Sequence, residues 1–159
     1  MDPTLDQLAG AVDLFGGLTR EELIQGFEDI SARKGDILHT ERLNMQIDEA
    51  IEKYYLVEIE EQELLVVGPA ALPDLPDGGE DLPHLIRVDK REIDKMRIGR
   101  DVKDKISREI EKEIHKMDKG EVEQLLDVCY DLEMWNEIDV EDVRCELEEV
   151  LDNMRKKKE

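Results

Sequence analysis

Tyr54-Tyr55-Leu56-Val57-Glu58-Ile59-Glu60-Glu61-Gln62-Glu63-Leu64-Leu65-Val66-Val67 decides the reading of this chain of 159 residues. Two apolar, largely β-branched runs, Tyr55–Ile59 and Leu64–Val67, flank four polar residues, which predicts a β-hairpin. Working outward, Leu43, Ile47, Ala50, Ile51 and Tyr54 fall on one face of a helix from about Thr40 to Tyr54. Before it, Thr19 and Glu22 form a capping box, with Leu18 and Leu23 as the hydrophobic staple, so a helix starts at Thr19 and ends at Gly35. A weaker box, Thr4 with Gln7, starts a first helix that Gly16-Gly17 stops. Three helices and then a hairpin is the order of a winged helix, whose third helix and wing read DNA when such a domain binds it.

Beyond Val67 the character changes. Pro69, Pro73, Pro76, Pro83 and Asp77-Gly78-Gly79 predict a turn-rich linker, with Leu72, Leu75 and Leu82 packing it along a surface. Asp89 and Glu92, with Val88 and Ile93, repeat the box and staple and predict one long helix from Asp89 to Met117. Asp118 with Glu121 starts a helix to Trp135, and Asp139 another to Met154. The chain thus divides into a winged-helix-like domain at 1–68, a Pro/Gly-rich linker at 69–87, a three-helix C-terminal unit at 88–154 and a basic frayed tail at 155–159, a mainly α architecture.

Charge constrains function more than any motif does. The net charge is −21, distributed as −15 over residues 1–86, +3 over 87–119, −12 over 120–154 and +3 over the last five residues. A field of this sign repels nucleic acid, anionic membranes and acidic substrates. Aromatic residues make up only 4%, too few for a platform that stacks single-stranded bases. No apolar run approaches membrane-spanning length, and the start Met1-Asp2-Pro3-Thr4 has no basic region leading into an apolar one, so a cytoplasmic protein is expected. Cys129 and Cys145 lie inside apolar helical patterns and read as buried, reduced thiols.

The N-terminal half resembles a family of small, acidic, uncharacterised proteins of haloarchaea. The resemblance spans about residues 5–90 and is carried by Val12-Asp13-Leu14-Phe15-Gly16-Gly17-Leu18-Thr19-Arg20-Glu21-Glu22-Leu23, by Gly68-Pro69-Ala70-Ala71-Leu72-Pro73 and by Glu80-Asp81-Leu82-Pro83-His84. It implies a salt-adapted cytoplasm and a winged-helix-like fold, and carries no function with it. The chain departs from the haloarchaeal habit in holding 12 Lys, mostly in its second half, where such proteins prefer Arg. A moderate halophile or a related methanogen fits as well.

Catalytic and metal signatures are absent from the sequence. It has no phosphate loop, dinucleotide fingerprint or nucleophile elbow, and its His and Cys residues have no metal-ligand spacing. A non-enzymatic protein with no cofactor, metal or small-molecule substrate is therefore expected. The third helix exposes Glu41, Asp48, Glu49 and Glu52 among fewer cations, and the wing tip carries three carboxylates, which opposes phosphate contact. The basic stretch 87–119 interleaves its cations with Asp and Glu four residues apart, as a solvated helix does. The leading expectation is a protein-interaction or regulatory module that contacts a protein partner or a second copy through Met45, Met134 and Trp135, with Leu56 a further candidate that reads more readily as core. The alternative is a DNA-binding transcriptional regulator, which requires Arg20, Arg33, Lys34 and Arg42 to gather on one face beside the third helix.

Overall fold

The computed structural model describes residues 1–136 and 138–156, and the backbone alone at 135 and 136. Among the described residues the chain is mainly helical, with seven helices and one two-stranded antiparallel hairpin that follows the first three helices. It divides into two compact units, Met1–Ile93 and Asp94–Glu159.

The first unit opens with α1 (Leu5–Asp13), α2 (Arg20–Lys34) and α3 (Thr40–Glu52). Both expected capping boxes form. Thr4 Oγ1 accepts from the Gln7 amide at 3.1 Å while Gln7 Oε1 accepts from the Thr4 amide at 3.0 Å. Thr19 and Glu22 do the same at 3.1 and 2.8 Å, which satisfies donors that a helix start leaves orphaned. Gly35 closes α2 in the left-handed conformation at φ 70°. The hairpin pairs β1 (Leu56–Ile59) with β2 (Leu64–Val67) in the register Leu56↔Val67 to Ile59↔Leu64. Leu18 adds a rung on the far side of β2, donating to the Leu65 carbonyl at 3.0 Å and accepting from its amide at 2.7 Å. The core beneath joins Leu8, Val12 and Phe15 of the first helical segment to Leu23, Phe27, Ile30, Leu43, Ile47, Leu56 and Leu65.

The proline-rich stretch belongs to this unit. It carries a 3-10 turn at Gly79–Asp81 and a short α4 (Leu82–Leu85), so the expectation of a linker without regular structure is corrected. Leu82 and Ile86 are buried in the core, whereas Leu72 and Leu75 are exposed. The stretch lies along α1: the Leu72 amide donates to Asp6 Oδ1 and the Asp74 amide to the Asp6 carbonyl, each at 3.0 Å. Gly10 permits that approach, because a Cβ there would run into the Asp74 backbone.

The long helix expected from Asp89 to Met117 runs instead from Lys95 to Glu113, and this too is a correction. Residues 86–94 are not helical. The Arg91 amide donates to the Phe15 carbonyl at 2.7 Å, beside Gly16 in the left-handed region at φ 77°. The Arg91 guanidinium donates to the Gly17 carbonyl at 2.9 Å and to both Glu22 carboxylate oxygens at 2.8 and 3.2 Å. A helix through residue 91 would withdraw these groups, so the tertiary pairing overrides the local capping signal.

The second unit has three helices, α5 (Lys95–Glu113), α6 (Lys119–Asn136) and α7 (Glu141–Lys156). Asp94 caps α5 by accepting from the Met96 and Arg97 amides. Asp118 Oδ1 accepts from the Glu121 amide at 2.8 Å, as its box requires. Ile98, Val102, Ile106, Ile110, Val122, Leu126, Cys129, Leu132, Val143, Leu147 and Leu151 are buried. The helix α7 continues through Arg155 and Lys156, where a frayed tail was expected; residues 157–159 lie outside the described residues.

Candidate functional site

In the first unit α3 and the turn of the hairpin present exposed residues, while the two strands themselves are largely buried. Leu43, Ile47 and Ala50 face the core, which leaves Glu41, Met45, Asp48 and Glu52 on the outer face of α3. Met45 is 71% exposed. The hairpin turn is a 3-10 turn, Glu60–Gln62, followed by Glu63 in the left-handed conformation at φ 54°. Glu58, Glu60, Glu61 and Glu63 are all exposed there.

The four cations required by the DNA-binding alternative do not form one basic face. Arg20 Nη2 donates to Asp48 Oδ1 at 2.7 Å, and its Nη1 reaches the Asn44 carbonyl and side-chain oxygens at 3.4 Å. Arg42 Nη2 donates to Asp2 Oδ2 at 2.9 Å. Arg33 pairs with Asp81 and Lys34 with Asp77, both at 3.3 Å, around a cavity of about 270 Å³ floored by Ile30 and Leu85. Arg20 and Lys34 end opposite termini of α2, about 20 Å apart at 1.5 Å per residue. Lys53, at the end of α3, is held by Glu49 Oε1 at 2.7 Å, and that bond raises its pKa. Every cation named here is matched to a carboxylate, and the face as a whole is left acidic.

The other expected contact residues separate. Leu56 is fully buried in the core, so it is removed as a contact candidate. Met134 is 87% exposed on α6, in the second unit. Trp135 continues α6, but its side chain lies outside the described residues.

The cysteine expectation is half corrected. Both thiols are free, Cys129 buried and Cys145 exposed. Burial pushes the Cys129 thiol up to about 12, with the Glu133 carboxylate adding to the effect, so it carries essentially no thiolate at neutral pH. Among the described residues no group of three or more His, Cys, Asp or Glu side chains is placed to hold a metal ion. No helix among them is long and apolar enough to cross a membrane.

Two charged clusters escaped the motif reading. One is the Glu22–Arg91 clamp, which holds the Glu22 carboxyl below its ordinary value through the Arg91 hydrogen bonds. The other centres on Arg144. Its Nε donates to Glu133 Oε1 at 3.0 Å, its Nη1 to Glu148 Oε1 at 3.2 Å, and it lies 5.7 Å from the centroid of the Tyr130 ring. Charge counting flags it, since Arg144 is the one cation between residues 120 and 154.

A family model matches residues 6–152, and the chain belongs to that family, a family of unknown function (DUF7109). No curated protein and no solved structure matches the chain.

Proposed function

We propose that this family member is a non-enzymatic interaction module that receives a basic protein surface on the outer face of α3 and the wing. The observation that carries the reading is the acidity of that face. Glu41 and Glu52 flank exposed Met45, while Arg20, Arg42 and Lys53 are already matched to Asp48, Asp2 and Glu49. A winged helix that grips DNA needs free cations at these positions, because phosphate contacts supply most of the affinity. A basic protein surface gains from the same field, and Met45 offers an adaptable apolar contact at its centre. The overall net charge of −21 fits work in the cytoplasm of a salt-adapted archaeon.

The test is a pull-down at native salt, with and without nuclease, repeated with the variant Glu41→Lys/Met45→Lys/Glu52→Lys. All three positions are exposed, so the fold should be retained. The expected result is a protein that co-purifies through nuclease treatment and is lost with the variant. Capture that nuclease abolishes would replace this reading with the DNA-binding regulator. Capture indifferent to the variant would move the surface elsewhere.

A further inference from the structure

In the second unit, α6 and α7 run antiparallel, a register fixed by the contacts of Glu133 with Arg144 and Tyr130 with Glu148. Along their outer side lies an open groove of about 480 Å³. The register divides it into three levels. At one end the Tyr130 hydroxyl donates to Glu148 Oε1 at 2.9 Å, and Arg144 donates to the same oxygen. At the other end Glu123 stands level with Arg155, and Lys119 approaches Glu123 to 3.9 Å. The middle level holds Asp127 and Asp152 above a floor of Leu126 and Leu151. Among the described residues neither aspartate forms an ion pair. Both ends therefore hold a cation beside the carboxylate, and the middle has two carboxylates over an apolar floor.

We propose that this groove docks a Lys- or Arg-bearing segment of a partner protein. Lys and Arg combine an aliphatic stem with a charged head, so a stem laid across Leu126 and Leu151 delivers its cation between Asp127 and Asp152. The half-exposed Tyr130 ring adds a face for a guanidinium, as it already does for Arg144. A second copy of the chain is a poor occupant. The 120–154 segment alone carries a net −12, and like-charged faces repel. Arg155 and Arg144 at the two ends confine the incoming cation to the middle level. This site uses other residues than the α3 face and stands or falls separately from it.

The test uses the full chain at moderate KCl and three probes: a synthetic amphipathic Arg/Leu peptide, its Glu/Leu counterpart and spermine. Amide shifts report position, and calorimetry reports affinity. The Arg/Leu peptide should shift Leu126, Asp127, Leu151 and Asp152, and the Glu/Leu peptide should leave them in place. Asp127→Asn/Asp152→Asn should weaken binding about ten-fold, the worth of two exposed charge pairs, with an unchanged thermal melt. Asp127→Lys, which fills the middle level with the chain's own cation, should abolish binding. Shifts elsewhere, no binding, or equal affinity for the Asn variant would overturn the proposal. Spermine binding as tightly as the peptide would overturn the protein-segment occupant in favour of a small polycation.

Discussion

The two units use their charged side chains in opposite ways. In Met1–Ile93, with 8 Lys/Arg and 22 Asp/Glu, charged groups tie distant parts of the backbone together. Arg91 reaches Glu22 and the Gly17 carbonyl, Asp6 accepts from the Leu72 amide, and the N-terminal ammonium donates to the Ile37 carbonyl. In Asp94–Glu159, with 14 Lys/Arg and 21 Asp/Glu, the pairs are short-range along a helix or join neighbouring helices, as in Lys119–Glu123, Arg144–Glu148 and Lys103–Asp142. Apolar seams hold the second unit and most of its charges decorate it, although Lys103 also donates to the Asp139 carbonyl at 2.8 Å. In the first unit particular charges and glycines fix where a segment lies. Single polar substitutions should therefore hurt the first unit more.

The sharpest break is Gly10→Ala. Its added methyl meets backbone, which cannot rotate away, so a loss of about 1–3 kcal/mol is expected. Hydrogen exchange should show it as lost protection in residues 1–93, with the amides of α5–α7 unchanged. Equal loss in both units would dissolve the comparison.

Glu22→Gln comes next, at about 1 kcal/mol once partial exposure is allowed for. Gln can still close the capping box but loses the charge on Arg91. The wild-type carboxyl titrates below its ordinary value near 4.5, so the folded state binds fewer protons than the unfolded one there. Its stabilisation is full above pH 4.5 and fades as pH falls through the lowered folded value. Urea melts at neutral pH and in acid should therefore differ less for the variant than for the wild type. A constant gap between the two proteins across that range would show that Glu22 acts through packing alone.

Arg144→Met should cost less than Glu22→Gln, since the methionine keeps the stem over Tyr130 while Glu133 and Glu148 lie near the surface. A melt displaced as far as that of Gly10→Ala would mean that one charge organises the second unit too.

The smallest effect involves no stability at all. Iodoacetamide should alkylate Cys145 in the native protein and leave Cys129 intact until denaturant is added, as read by mass spectrometry. Native labelling of Cys129 would reveal ready local opening of α6.

Much of the local architecture was legible. Capping boxes and staples are short-range devices, so Thr4, Thr19 and Asp118 act as their spacing predicts. The same rule failed at Asp89, where the spacing is equally good. The candidate surface was legible as an acidic face, because helical periodicity assigns Glu41, Met45 and Glu52 to the outside. That Arg20 would be held by Asp48, 28 residues away, was not.

The sequence alone determined the three helices before a hairpin, the caps that start the first two, the apolar faces and the acidity of the outer surface. Each depends on neighbours within a few positions, or on simple counting. Tertiary structure alone decided that the proline-rich stretch joins the first unit, that α5 begins at Lys95, that Cys145 is exposed, and that Arg91 closes on Glu22. Those outcomes depend on groups as far apart in the chain as Phe15 and Arg91, whose meeting no local pattern encodes.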